Sequence, residues 1–290
     1  MSKVYIFQGK CIVLKIRIVA DSSSDITSME NIDFAIAPLT ISTDEESFID
    51  NPQLDVREMQ NYLASYKGRS FTACPNIANW LDCFEGADII YVVTMTSKLS
   101  GTYNAAVRAA EIFKEGNPNA EIYVFDTLST GPEAKMLVEK IAEYVNSGKD
   151  FKTVCTLAKL YLNGTKLFFA LKSFHNLVQN GRMNKSVAYL AEKLGIRVLA
   201  RASEEGTIET IKKCRGERQL VQSFVECVMN AGYKGGKLYI SHCDNEGLAI
   251  KISDAIKESY KNAKIAVYSA RGLCSYYAEK GGLILGMESE

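Results

Sequence analysis

The sequence is poor in the residues and motifs that carry most enzyme and redox chemistry. Its 290 residues include two histidines and one tryptophan, and its eight cysteines are scattered without a C-x-x-C pair. The missing cysteine pairs argue against a zinc knuckle and against a dithiol redox site, because both need closely spaced thiolates. In the absence of a convincing signal peptide, we expect reduced thiols and a cytoplasmic protein.

Motifs for nucleotides, hydrolysis and metals are also absent. No G-x-G-x-x-G follows the first strand, and neither G-x-x-x-x-G-K-[ST] nor G-x-S-x-G occurs anywhere. Dinucleotide binding, P-loop hydrolysis and nucleophile-elbow chemistry therefore lose support. Asp21 and Asp25 lack a third acidic neighbour, so the sequence predicts no metal site.

The chain has no excess of one charge and no long apolar run. It contains 34 Lys plus Arg against 34 Asp plus Glu, and 47% of its residues are hydrophobic. This balance is typical of a globular protein and gives no bulk attraction to nucleic acid or to an anionic membrane. Because no run reaches 18 apolar residues, we expect no stable membrane insertion.

What the sequence does contain is a regular alternation of strand and helix patterns. Short apolar runs predict strands at 16–20, 34–42, 88–94 and 121–127. Apolar residues at spacings of three and four predict helices between them. This alternation is typical of a parallel sheet covered by helices. We therefore predict a Rossmann-like α/β domain over residues 16–160, preceded by an extension of residues 1–15.

The second half predicts another α/β domain, over residues 161–290. Its strands begin with "KLFFAL" (166–171) and alternate with helical patterns towards the C-terminus. We expect a mixed sheet here. No Pro-rich or Ser-rich linker separates the halves, so extensive contact between the domains is expected, with a ligand bound between them.

Three predicted strand-to-helix junctions are rich in hydroxyl groups. They are "DSSSD" (21–25), "TMTSKLSGT" (94–102) and "DTLSTG" (126–131). Ligands of open parallel sheets bind at the carboxyl ends of the strands, where helix N-termini offer free N–H groups to an anion. The same residue types are preferred helix caps, and capping is the favoured interpretation of any single junction.

Taken together, these segments resemble the DegV family of two-domain α/β fatty-acid-binding proteins, which includes the acyl-carrying subunits of bacterial fatty acid kinase. The family's T-S-x-P-[ST] resembles "TACPN" (72–76), and its S-x-x-L-S-G-T-Y-x-[SA]-A is close to "TSKLSGTYNAA" (96–106). Its L-x-x-L-x-x-G-R-I and K-x-R segments resemble "NGRM" (180–183) and "KKCR" (212–215). The resemblance covers about residues 16–290.

The resemblance implies a long-chain fatty acid as the ligand and no other cofactor. Its carboxylate would be bound by Thr72 and Ser100, with Gly101 and Thr102 beside them, and its acyl chain would run between the domains past segments such as "LFFAL". Charge-assisted hydrogen bonds hold such a head group, while burial of the methylene groups supplies most of the affinity.

The sequence departs from the family near its C-terminus. Where many members have a glycine-rich segment containing a histidine, this chain has "VYSARGLCSYYAEKGG" (267–282). The resemblance implies that this histidine reaches the ligand head group in the members that have it. Here we expect that role to pass to Arg271 or Ser275, or to be lost. Ser22 and Ser23 of "DSSSD" complete the wider set of candidate head-group residues.

The resemblance also implies a protein partner, the catalytic subunit of a fatty acid kinase. Arg182 and Arg215 would lie on the surface that meets it, and catalysis is expected in the partner and not in this chain. Two alternatives stay open at this point. One is a hydrolase or phosphotransferase acting on a small anion, with His242 or Asp21 as the base, and the other is a module that senses a small anion.

Overall fold

The first sheet has four parallel strands in the order β3-β2-β7-β8. The computed structural model describes residues 2–7, 10–183 and 196–289, and side chains from residue 14 onward. The four strands are β2 Lys10–Asp21, β3 Asp33–Ala37, β7 Ile89–Thr94 and β8 Glu121–Asp126. Every residue of β7 is buried, as expected for a parallel strand covered on both faces. The predicted parallel sheet is confirmed.

The predicted N-terminal extension forms part of this sheet. Strand β1, Ser2–Phe7, pairs antiparallel with Lys10–Lys15, which is the first part of β2. The parallel partners of β2 begin only after that part, at Ile16 with β7 and at Arg17 with β3.

Helices cover both faces of the first sheet. The described helices of this half are α1 Val56–Ser65, α2 Ile77–Phe84, α3 Thr102–Gly116, α4 Gly131–Asn146 and α5 Phe151–Asn163. Helix α1 does not cover this sheet, because its Met59 packs against Ile41 and Tyr276. Helices α2 and α3 pack on one face, whereas α4 and α5 pack on the other. Three begin at side-chain caps, because Asp55, Asn76 and Asp150 each accept a hydrogen bond from the first turn of their helix.

The second sheet has six strands in the order β11-β10-β9-β14-β12-β13. These are β9 Thr165–Leu171, β10 Arg197–Ala202, β11 Ile208–Cys214, β12 Lys237–His242, β13 Lys264–Ser269 and β14 Leu283–Glu288. Strands β12 and β13 run parallel and the other neighbours antiparallel, so the predicted mixed sheet is confirmed. The described helices of this half are α6 His175–Gln179, α7 Gly216–Asn230, α8 Glu246–Ser259 and α9 Gly272–Ala278.

Helix α4 lies between the two sheets. Its Leu137 and Ile141 belong to the core beneath the first sheet, while its first turn lies against β14 of the second. A Cβ atom at Gly286 of β14 would lie 2.9 Å from both the Glu133 nitrogen and Pro132 Cβ. The close approach of the two domains at this point therefore requires a residue without a side chain.

Several short elements were not predicted. The run 34–42, expected as one strand, ends as β3 at Ala37 and restarts as β4, Thr40–Ser42, because Pro38 between them has no N–H to donate. Strand β4 forms a small antiparallel sheet with β5, Ser47–Ile49, and β6, Phe71–Ala73. Helix α9 was missed as well.

In the described ranges, no helix is both long and apolar enough to cross a membrane.

Candidate functional site

An apolar cavity lies between the two domains, at the carboxyl ends of β7 and β8. The cavity has a volume of about 90 Å³ within about 750 Å³ of atom-free space, part of which is open to solvent. The cavity is therefore narrow. Its described walls are Met95, Thr96, Leu99, Leu128, Ser129, Thr130, Leu167, Phe169, Leu171, Leu177, Arg182, Ala202, Gly206, Thr207, Ile208, Leu273, Cys274, Tyr277, Ala278 and Ile284.

Strand periodicity explains why β9 contributes to this wall. Leu167, Phe169 and Leu171 face the cavity, whereas Phe168 and Ala170 between them pack into the core beneath α7 and α8. Successive side chains of a strand point to opposite faces, so one apolar run supplies both a cavity wall and a core layer.

The cavity adjoins an open, more polar pocket, which we call the mouth. The residues that line only the mouth are Ser97, Lys98, Ser100, Gly101, Asn104, Gly181, Met183 and Thr210. Leu99, Arg182, Thr207 and Ile208 line both spaces and so form the boundary between them. An amphipathic ligand could place its tail in the cavity and its polar end in the mouth.

Tyr277, Arg182 and Thr72 meet near this boundary. The hydroxyl groups of Tyr277 and Thr72 share a hydrogen bond of 2.7 Å, and Arg182 Nε donates to the Leu99 carbonyl oxygen over 2.8 Å. Burial raises the pKa of Tyr277, so its hydroxyl stays protonated at neutral pH. A phenol donor and a guanidinium therefore stand where the apolar cavity becomes polar.

The structure also brings the Thr72 and Ser100 segments together. A Cβ atom at Gly101 would lie 3.5 Å from the Cys74 sulfur, so the loop before α3 touches the chain that leaves β6. The Ser100 hydroxyl accepts from the Thr102 backbone N–H at 3.3 Å, and Thr102 itself is buried. Ser100 thus lines the mouth while it also satisfies one N–H at the start of α3.

The wider set of candidate head-group residues lies elsewhere. Ser22 Oγ accepts from the Leu39 N–H, and Ser23 Oγ donates to Asp21 over 2.5 Å. The Arg271 guanidinium donates to the Asn51 carbonyl oxygen, and the Ser275 hydroxyl to that of Gly272. None of these four predicted residues is among the described residues that line the cavity or the mouth.

The two arginines predicted to meet a partner have different surroundings. Arg182 is half-buried at the boundary between cavity and mouth. Arg215 is exposed at the start of α7, where its backbone N–H donates to Gln219 Oε1 over 2.7 Å.

The two candidate bases of the enzyme alternative are buried, and neither side chain reaches the cavity. Asp21 accepts from the Met95 N–H, and desolvation raises the pKa of Asp21 to about 6. Burial lowers the pKa of His242, whose Nδ1 faces the Asn245 N–H at 3.4 Å. Neither side chain belongs to the described lining of the cavity.

Sequence reasoning missed Tyr277 and the rest of α9. Leu273, Cys274, Tyr277 and Ala278 all line the cavity, and the spacing of four from 273 to 277 and from 274 to 278 is that of one helical face. The departure from the family motif pointed to this segment. The polar Arg271 and Ser275 were the expected head-group residues there, whereas the aromatic residue two positions after Ser275 carries the hydroxyl beside Thr72.

Comparison with known proteins identifies the family of this chain. The model of the family described as an uncharacterised protein, DegV family, matches residues 15–288. The chain belongs to the DegV family. A DegV domain-containing protein of Streptococcus gordonii is 38% identical over 276 residues, which cover 94% of this chain and 98% of the relative.

Two solved structures are similar to this DegV chain over nearly its whole length. A DegV family protein from Eubacterium eligens, loaded with heptadecanoic acid, is 47% identical with a TM-score of 0.92, covering 95% of this chain and all of that one. The fatty acid kinase (Fak) B3 protein of Streptococcus pneumoniae, loaded with linoleic acid, is 37% identical with a TM-score of 0.93, covering 96% and 100%.

Two buried carboxylates of the N-terminal domain hold α9 of this DegV protein in place. Asp25 accepts from the Arg271 N–H at 3.0 Å, and Asp50 accepts from the N–H groups of Gly272 and Leu273 at 3.1 and 2.8 Å. Desolvation raises the pKa of both, that of Asp25 to about 7, where the nearby Asp50 adds to the effect.

We expect Asp25→Asn to make stability less dependent on pH. Because the pKa of Asp25 rises from 3.8 to about 7 on folding, the folded state holds the extra proton between these values, and stability falls as the pH rises through this window. Asparagine resembles the neutral carboxyl group. The stability of the variant relative to the wild type should therefore increase by about 2 to 4 kcal/mol between pH 4 and pH 8.

Urea unfolding at a series of pH values checks this expectation. Asp254→Asn, at an exposed position on α8, is the matched control. If the wild type and Asp25→Asn respond to pH in parallel, Asp25 is ionised in the folded state throughout the range.

Proposed function

We propose that this protein binds one long-chain fatty acid between its two domains and presents the carboxylate to the catalytic subunit of a fatty acid kinase. The supporting observation is a narrow apolar cavity, lined in part by Tyr277, that adjoins a polar mouth lined by Arg182 and Ser100. Thr72 is hydrogen-bonded to the Tyr277 hydroxyl. Neighbours at 47% and 37% identity carry heptadecanoic and linoleic acid, both single-chain fatty acids.

The cavity and the mouth would contribute different parts of the binding free energy. Burying about sixteen methylene groups at roughly 0.8 kcal/mol each supplies on the order of 13 kcal/mol before the cost of ordering the chain. The tail therefore dominates affinity. The head group is oriented by hydrogen bonds from the Ser100 and Tyr277 hydroxyls and by the charge of Arg182, since charge-assisted bonds to a carboxylate are stronger than neutral ones.

The kinase part of the proposal is supported by the openness of the mouth, in which we place the head group. A carboxylate in the mouth faces solvent, where the active site of a second protein could reach it, while the tail stays covered. Carriage of the acyl phosphate by the same cavity follows, because phosphorylation changes the head group and leaves the tail unaltered. The polar candidates of the enzyme alternative, Asp21 and His242, lie outside the described cavity lining and receive no support.

Native mass spectrometry of the protein purified from a bacterial host tests the proposal. We expect added mass equal to one long-chain fatty acid per chain, and renewed binding of oleate after delipidation. A protein that carries no such mass and fails to bind oleate would contradict it. Dodecanol and oleyl alcohol, compared with oleate, separate the contributions of chain length and carboxylate.

Ser100→Ala should weaken oleate binding by about 1 to 3 kcal/mol, because a charged acceptor loses a donor. The measurement is calorimetric titration of delipidated protein with oleate and with oleyl alcohol. Only the affinity for oleate should fall by this amount. Ser147→Ala, which removes an exposed hydroxyl bonded to the Tyr144 carbonyl oxygen, is the control. Equal losses for acid and alcohol would place the carboxylate away from Ser100.

Arg182→Ala and Arg215→Ala, made one at a time, should have different effects on oleate affinity. Arg182 lines the ligand space, so Arg182→Ala should lower both oleate affinity and acyl-phosphate formation by an added fatty acid kinase subunit. Arg215 is exposed and outside that lining. Arg215→Ala should therefore leave oleate affinity unchanged and lower only acyl-phosphate formation with the added kinase subunit. Full acyl-phosphate formation by both variants would remove these arginines from the proposed docking surface.

A further inference from the structure

The hairpin between β10 and β11 reaches across from the C-terminal domain and forms part of the cavity wall. Ala202, Gly206, Thr207 and Ile208 of this hairpin line the cavity, and Thr207 and Ile208 line the mouth as well. The tip of the hairpin, residues 203–207, therefore stands between the apolar space and the opening through which a ligand would pass.

The tip contacts the N-terminal domain through one closely fitted glycine. The Thr96 hydroxyl donates to the Gly206 carbonyl oxygen over 2.8 Å, and both groups are buried. A Cβ atom at Gly206 would collide with Thr96 Oγ1 and would lie 3.0 Å from the Leu128 Cα atom. Gly206 also has a φ of +81°, so two independent constraints require glycine at this position.

The rest of the tip is stabilised by its own hydrogen bonds. Ser203 and Thr207 are joined by a backbone bond of 2.8 Å and by a bond of 2.9 Å between their hydroxyls, and the Gly206 N–H donates to the Ser203 carbonyl oxygen over 2.9 Å. Because these bonds lie within the tip, they would survive if it lifted from Thr96. The two neighbouring residues, Glu204 and Glu205, are exposed.

The hairpin has a place where it can bend. The pairing register of β10 with β11 shifts between Leu199 and Ala200. Such an irregularity interrupts the ladder and bends the strand locally. Beyond this shift the hairpin runs from Ala200 to Thr210, and β10 stays paired with β9 only as far as Arg201. A small rotation of the end that projects past Arg201 would widen the boundary at Thr207 and Ile208.

We propose that the β10–β11 hairpin tip closes the ligand cavity on the side of Thr96 and Leu128, and that Gly206, held between these two residues, is its latch. The inference rests on the proposed fatty acid binding. It adds that a bound fatty acid leaves when the Thr96–Gly206 hydrogen bond breaks and the tip lifts, so this contact sets the lifetime of the complex.

The test is the rate at which oleate passes from the loaded protein to excess albumin. Thr96→Val removes the hydroxyl at nearly constant volume, and with it both the bond to Gly206 and the 3.2 Å bond that the hydroxyl accepts from the Lys98 N–H. Release should speed up at least about fivefold, as expected for the loss of one buried neutral hydrogen bond to the tip. The separate variant Thr96→Ser keeps the hydroxyl and should release oleate at the wild-type rate. Gly206→Ala should speed release at least as much, because the added Cβ prevents the tip from seating.

Gly148→Ala is the control for backbone strain. Gly148 has a φ of +87°, and a Cβ atom added there would meet no atom within 4 Å beyond its chain neighbours, so alanine is strained at this position without a collision. We expect a lowered unfolding temperature and an unchanged release rate. If Gly206→Ala does not fold, the Thr96 pair decides the question alone.

Two outcomes are distinguishable. If the loaded wild type exchanges oleate and Thr96→Val releases it at the wild-type rate, the latch is refuted while fatty acid binding stands. If the delipidated wild type binds no oleate, the proposed function is refuted, and the latch with it.

Discussion

The cavity depends on the contact at the start of helix α9, where hydrogen bonds fix this helix to the N-terminal domain. Three successive N–H groups, those of Arg271, Gly272 and Leu273, would be left without partners at the beginning of a helix. Asp25 and Asp50 of the other domain accept all three. Buried carboxylates are costly, and these donors together with the positive end of the helix offset part of that cost.

This contact determines which side chains of α9 line the cavity. Leu273, Cys274, Tyr277 and Ala278 follow directly on the held turn and line the cavity. A helix is stiff over two turns, so fixing its first N–H groups also fixes the Tyr277 hydroxyl next to Thr72. The same carboxylates thus secure the domain interface and place a donor where the apolar space ends.

The two domains contribute different chemistry to the site. The N-terminal domain supplies the hydroxyl-rich loops after its parallel strands, including Ser100 in the mouth. The C-terminal domain supplies most of the apolar wall, from β9, the β10–β11 hairpin, α9 and β14. Contacts that admit no side chain occur where they meet, at Gly206 against Leu128 and at Gly286 against Pro132. A ligand with one polar end and a long apolar tail matches this division.

The fold was largely predictable because its signals are local and repeated. Near-continuous apolar runs alternating with helical patterns indicated a parallel sheet, and β7, buried along its whole length, shows why those runs lack alternation. The elements that were missed are short. Strands of three residues and a helix of seven carry too few residues for a period to emerge, and they are held by partners distant in sequence. Pro38 was the available signal that the run 34–42 breaks in two.

The sequence by itself determined the two-domain α/β architecture, the family, and the segments around Thr72 and Ser100 that meet beside the mouth. Those features depend on the order of residues within single elements and on motifs that can be read directly. Only the tertiary structure decided which residues enclose the ligand space. Tyr277, and not Arg271 or Ser275, lines the cavity, because α9 turns its apolar face towards it. The rotation of a short helix is set by the contacts at its start, and those come from residues more than two hundred positions away in the chain.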